Sequence, residues 1–165
     1  MQIITPTETQ AAPIGDCRTT QGLMKVCSKT INVSTDARMA LVKLTDELKA
    51  FAEAAGVADG FMQISSLHTT AALFVNEWQE ALSHDIKAMY ERVMPRALYY
   101  KHNDPAFSDC DRKNADSHLS AIIMSHSLSI PIAKGRLILG RWQHVIMAEF
   151  DGPNQRKVFL QVMGV

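Results

Sequence analysis

Apolar positions recur along this chain at two different spacings, and the changes of spacing mark its elements. Residues 23–33 carry branched side chains at Val26, Thr30, Ile31 and Val33, which predicts a β segment. Leu41, Leu44, Leu48, Phe51 and Ala55 then repeat at steps of three and four. That period predicts a helix, with cap chemistry at Ser34-Thr35-Asp36 and Gly56 as its terminator. Residues 60–66 and 71–76 read as short strands. A second helix is expected over 77–93, with Trp78, Leu82, Met89 and Val93 as its apolar stripe and Pro95 past its end. Residues 127–133, 137–140, 144–151 and 157–162 return to strand spacing. Lys134-Gly135 and Asp151-Gly152-Pro153-Asn154 supply turns between them. No regular strand–helix alternation with glycine-rich phosphate loops occurs. The expected class is α+β, a mainly antiparallel sheet or sandwich with two to three helices.

The stretch from His102 to His118 breaks both periods. It reads H-N-D-P-A-F-S-D-C-D-R-K-N-A-D-S-H, with histidines at its ends and four aspartates between them. Buried polar groups without partners cost about 1–3 kcal/mol each, so this is no core element. A solvated loop accounts for the aspartates, whereas imidazoles beside carboxylates are what a metal or acid–base site requires. Asn114 is expected to cap a short helix, with Asp116 in its first turn and His118 one turn on.

Composition narrows the setting. A chain of 165 residues fits one domain, here taken as 22–165 behind an extended arm over 1–21. Seventeen basic and seventeen acidic side chains leave no net charge, which argues against a nucleic-acid partner. Three cysteines without C-x-x-C spacing point to a reducing compartment. No signal-like core and no run of about eighteen apolar residues occurs, so the expectation is a cytoplasmic protein without a membrane partner.

Three histidines stand in three separate segments among small or polar neighbours: His68, His102 and His118. Metal sites gather three or four ligands from different segments, so these are the candidate ligands. Imidazoles favour zinc or another late divalent ion, with magnesium, which prefers oxygen donors, as second choice. His126 and His144 rank below them. Asp104, Asp116 and Glu149 are the candidate catalytic groups, as acceptors that orient the imidazoles or, for Glu149, as a general acid or base. Strand alternation puts Glu149 on the face of Val145 and Met147; if that face is core, its carboxylate requires a cation or a metal-bound histidine. Glu77 and His84, seven residues apart on one helix face, form an additional candidate site with Asn76 and Trp142. Arg112, Lys113, Arg141 and Arg156 are the candidate phosphate-binding cations. No G-x-S-x-G elbow supports a nucleophilic triad.

Six short motifs occur in one order: H-T-T-A-A-L-F-V-N-E (68–77), H-D (84–85), K-H-N-D (101–104), N-A-D-S-H-L (114–119), L-G-R-W-Q (139–143) and E-F-D-G-P (149–153). Together they resemble the YjbQ family, also called secondary thiamine-phosphate synthase enzyme, over residues 23–165. The resemblance implies a β-rich α+β fold, a homotrimer, a bound metal and a weak thiamine-phosphate synthase activity. That reaction joins a pyrimidine methyl pyrophosphate to a thiazole phosphate and releases pyrophosphate. The family turn usually reads D-G-P-R; here Asn154 and Gln155 precede Arg156. The reaction is usually magnesium-dependent, in contrast with a histidine-rich site. The alternatives are a metal-assisted hydrolase of a small phosphorylated metabolite and a non-enzymatic trimer that binds a metal or metabolite.

Overall fold

Two antiparallel sheets face one another across the main core. The computed structural model describes residues 19–165, so the expected arm lies largely outside the described residues. One sheet is built from β1 (Lys25–Ser34), β3 (Asp59–Ser66), β5 (Ser127–Ala133), β6 (Arg136–Leu137) and β8 (Gln155–Gly164), in the order β1-β8-β3-β5-β6. The other contains β2 (Ala40–Lys43), β4 (Ala71–Asn76) and β7 (His144–Glu149), in the order β2-β7-β4. Helix α1 (Thr45–Ala55) adds Leu48 and Ala52 to the core between the sheets. Helices α2 (Glu80–Val93) and α3 (Ala115–Ile123) cover the opposite face of the smaller sheet. Along β7 the period of two sends Val145 and Met147 into the main core and Ala148 toward the helices, with Phe150 following on that side. The expected α+β class and antiparallel pairing are therefore found.

Three local expectations are corrected. The first helix begins at Thr45, because residues 40–43 pair with β7 and complete the smaller sheet. Thr35 does not cap that helix; its backbone and hydroxyl bind the backbone of Asn154 and fasten the end of β1 to the β7–β8 turn. Gly56 does close α1 in the left-handed conformation, at φ 61°. The second helix begins at Glu80 behind Gln79, whose Oε1 accepts the Leu82 N–H at 2.7 Å. Trp78, Met89 and Val93 are exposed, and the helix docks instead through Ile86 and Tyr90, whose ring lies 4.9 Å from that of Phe150.

The two sheets are tied where β7 hands over to β8. Glu149 shares the inward face of Val145 and Met147, and Arg156 shares that of Val158 and Leu160. Both are buried, and the Arg156 guanidinium grips the Glu149 carboxylate through Nε and, at 2.5 Å, through Nη2. Glu149 also accepts the Asp151 N–H at 2.7 Å, and Arg156 donates to Thr70 Oγ1 at 2.8 Å. The cation required by a core-facing Glu149 is thus Arg156. The turn between the strands is pressed against the chain before β2, where a Cβ on Gly152 would meet the Ala37 carbonyl oxygen at 2.1 Å.

Asp151 turns this junction into a hub. Its buried carboxylate accepts from Arg112 Nε at 2.7 Å, Asn114 Nδ2 at 2.8 Å and Arg38 Nη1 at 3.2 Å. Burial alone would raise its carboxyl, but the hydrogen bonds from Asn114 and Arg112, with the charges of Arg112 and Arg38, hold it below the ordinary range.

Two predictions follow from these contacts. Glu149→Gln leaves Arg156 buried against a neutral amide and should cost about 3–5 kcal/mol of stability, read as a lower denaturant midpoint; an unchanged midpoint would refute the assignment. Because the folded Asp151 carboxyl titrates below its unfolded value of about 3.9, its stabilisation is complete above that pH and is lost as pH falls through the folded value. Denaturant midpoints at about pH 6 and pH 2.5 should therefore fall more steeply in the wild type than in Asp151→Asn.

Candidate functional site

The polar stretch folds back so that its two ends meet. Lys101–Asn103 form a single 3₁₀ turn, and Asn103 Oδ1 accepts the Ala115 N–H at 2.9 Å, capping the first turn of α3. Asn114 occupies the N-cap position as expected, but its side chain makes no cap bond and reaches to Asp151 instead. This exchange brings His102 against His118, ring centroids 5.1 Å apart and edge to face. His118 is held below its ordinary pKa by burial and then by His102, against the opposing pull of Asp151 and Asp116. A neutral imidazole with a free lone pair is the form that coordinates a metal. Ser108 Oγ lies 3.5 Å from His102 Nδ1.

His118 stands between two cavities. One, of about 430 Å³, is shared with Tyr100, His102 and Leu119. The other, of about 650 Å³, has His68 and His126 on its wall and Leu67 and Ile122 at its apolar side. His68 and His118 therefore face one space, as the sequence suggested. His68, however, is already engaged. Past the β3–β8 ladder, the Lys157 N–H donates to His68 Nε2 at 2.7 Å, while Leu67 N–H donates to the Lys157 carbonyl. An imidazole accepting at Nε2 carries its proton on Nδ1, so His68 offers a donor to its surroundings. That arrangement departs from a three-histidine ligand set, since coordination at either nitrogen requires giving up the hydrogen bond or the proton. Burial, followed by the charge of Arg156, lowers the His68 pKa and favours this neutral ring, with Glu149 opposing. Among the described residues no group of three or more His, Cys, Asp and Glu side chains is gathered for a metal.

The remaining candidates are dispersed. Glu149 is fully buried against Arg156, so it positions this region and is no acid or base open to a substrate. Arg156, for the same reason, is not a free phosphate ligand. Asp116 binds Arg38 through both oxygens at 3.1 and 3.0 Å, and Asp104 accepts from Tyr99 Oη and the Ala106 N–H; among the described residues neither is hydrogen-bonded to an imidazole. Arg112 is committed to Asp151. Arg141 lies over the Trp142 ring at 4.8 Å, away from the histidines' cavities. Lys113 adopts a positive φ of 50° and makes no ion pair among the described residues. His84 is exposed beside Asp85, and Asn76 Oδ1 accepts the Glu77 N–H; neither these residues nor Trp142 line the two cavities. His126, ranked low from sequence, joins the larger cavity because its carbonyl accepts the Ser66 N–H at 2.8 Å and brings residue 126 beside β3. Only strand pairing carries that information.

Comparison with known proteins places this arrangement. The family model described as "UPF0047 protein YjbQ-like" matches residues 29–165. A UPF0047 protein of Methanothermobacter thermautotrophicus is 33% identical over 141 residues, which cover 86% of this chain and 94% of the relative. UPF0047 protein YugU of Bacillus subtilis is 30% identical over 140 residues, covering 82% and 98%. Among solved structures, a YbjQ-like protein of unknown function from Sulfolobus solfataricus superposes with a TM-score of 0.80 at 31% identity, covering 86% of this chain and 99% of the other. With the match spanning the sheets, the histidine pair and the Asp151 turn, this chain belongs to the YjbQ-like family, UPF0047.

Proposed function

We propose that the protein is a divalent-metal-assisted enzyme acting on a small phosphorylated metabolite, with thiamine-phosphate formation, suggested by the family resemblance, as the reaction to test first. The observation that supports this reading is the His102–His118 pair, two imidazoles from two elements set edge to face between cavities, with His118 biased toward its neutral form. The donors fit a zinc-type ion in chemistry: His102 and His118 would hold it, and a set of three or four ligands would be completed from outside this pair. When bound, the ion would supply positive charge for a departing pyrophosphate or phosphate. His68, with its proton on Nδ1, would donate a hydrogen bond to a substrate oxygen, and Lys113 would add a cation from the polar stretch.

The same reading includes a homotrimer. Leu67 and Ile122 flank the larger cavity and are 54% and 74% exposed, with Ile123 beside them at 50%. Exposed apolar side chains grouped on one surface mark a place that a partner covers. A neighbouring copy seated there would enclose the cavity and bring further donors to it.

Metal analysis after dialysis against a zinc buffer should find zinc bound to the wild type. Outer-shell changes alone cost about 10–100-fold in metal affinity, so His102→Ala and His118→Ala should each lose more than that, while His84→Ala retains wild-type zinc. Full zinc content in both variants would overturn the site. Thiamine phosphate and free phosphate, followed with zinc and with magnesium, separate the transferase from the hydrolase. Light scattering should give about three times the chain mass of 18.3 kDa, and Ile122→Asp should lower it to that of one chain.

A further inference from the structure

Helix α3 has a further face with a cavity of its own. His118, Ala121 and Ile122 look into the histidine cavity, whereas Asp116, Ser117 and Ser120 line a separate space of about 590 Å³. That volume is within the range of small-molecule sites. Its walls are apolar at Met39, Met94, Pro95 and Phe150, drawn from the chain before β2, the end of α2 and the end of β7. Its polar groups are unevenly used. Arg38 and Arg112 together balance Asp116 and Asp151, and Arg38 also donates to Ser117 Oγ, so this edge carries no net charge. Ser120 is only 4% exposed as a residue, and its hydroxyl, with no hydrogen-bond partner among the described residues, is open to the cavity. A helical serine hydroxyl either bonds a carbonyl one turn back or points outward, and this one opens on the cavity. Lys87, half-buried, and Arg96, at the mouth, make no ion pair among the described residues, and Glu91 is the one lining carboxylate not matched by Arg38. Two cations against one carboxylate leave a single positive charge for an occupant.

We infer that this cavity binds a small organic anion with an apolar or aromatic body, its acid group toward Lys87 and Arg96 and a polar atom against the Ser120 hydroxyl. Carboxylates and phosphate monoesters share this chemistry. The site is distinct from the histidine cavity and does not depend on a metal there.

The methionines report on each cavity separately, because Met39 and Met94 line this one and Met124 lines the histidine cavity. The full chain, labelled with ¹³C at its methionine methyls, is titrated with phenyl phosphate, phenylacetate and, as a neutral control, benzyl alcohol. The Met39 and Met94 methyls should shift saturably with at least one anion while Met124 stays in place; the anion that binds more tightly identifies the acid group. Ser120→Ala, which keeps a good helix former, should weaken binding several-fold, as expected for one hydrogen bond. Lys87→Gln should weaken it about tenfold and reduce its dependence on salt. The proposal is overturned by shifts confined to Met124, by an equal response to benzyl alcohol, by no saturable shift with either anion, or by wild-type affinity in both variants.

Discussion

The fold depends on one buried ion pair at the seam between its sheets. β7 belongs to the smaller sheet and β8 to the larger, and a short turn must carry the chain across the core edge between them. Glu149 and Arg156 meet there, each on the inward face of its own strand. Removing two charges from water is costly, and their attraction offsets that cost only when the remaining lone pairs and protons are also satisfied. The Asp151 N–H and Thr70 Oγ1 do this. The pair thereby sets the register at which the two sheets meet, and the Thr70 contact draws in the link between β3 and β4.

From that seam, order passes outward to the histidines. Asp151 follows directly and holds Arg38, Arg112 and Asn114 on one carboxylate. Those contacts anchor the polar stretch where it enters α3, and Asn103 caps the helix from the other end of the same stretch. His118 is consequently placed by residues more than thirty positions away in sequence. α3 then serves as a partition, with imidazoles lining one side and the Ser120 hydroxyl, Lys87 and Arg96 lining the other. Each cavity borrows its opposite wall from a different element, which is why neither is a property of the helix alone.

Much of this was legible in the chain itself. Strands with period-two branching, such as 127–133, and turns with Lys134-Gly135 or Asp151-Gly152-Pro153 appear where local chemistry demands them. The histidines at both ends of the polar stretch signalled a meeting point, and they meet. Where pattern misled, a tertiary contact outweighed a local preference. Leu41 fits a helical period, but the open edge of β7 recruits residues 40–43 as a strand. Asn114 has cap chemistry, but its amide nitrogen donates to the buried Asp151 carboxylate and its Oδ1 accepts from Cys110 Sγ, which holds the side chain away from the helix N–H groups.

By itself, therefore, the sequence determined the element types, the antiparallel α+β class, the family and the residues able to carry chemistry, because periodicity, turn geometry and side-chain type are local properties. Tertiary structure decided which of those residues are free to act. Glu149, Arg156 and Arg112 have the chemistry of a site but are occupied by one another's charges or by Asp151. His68 has the chemistry of a ligand, but a backbone N–H from β8 fixes where its proton resides. A side chain's availability is set by the partner that reaches it first, and partners come from strand pairing and packing across the fold.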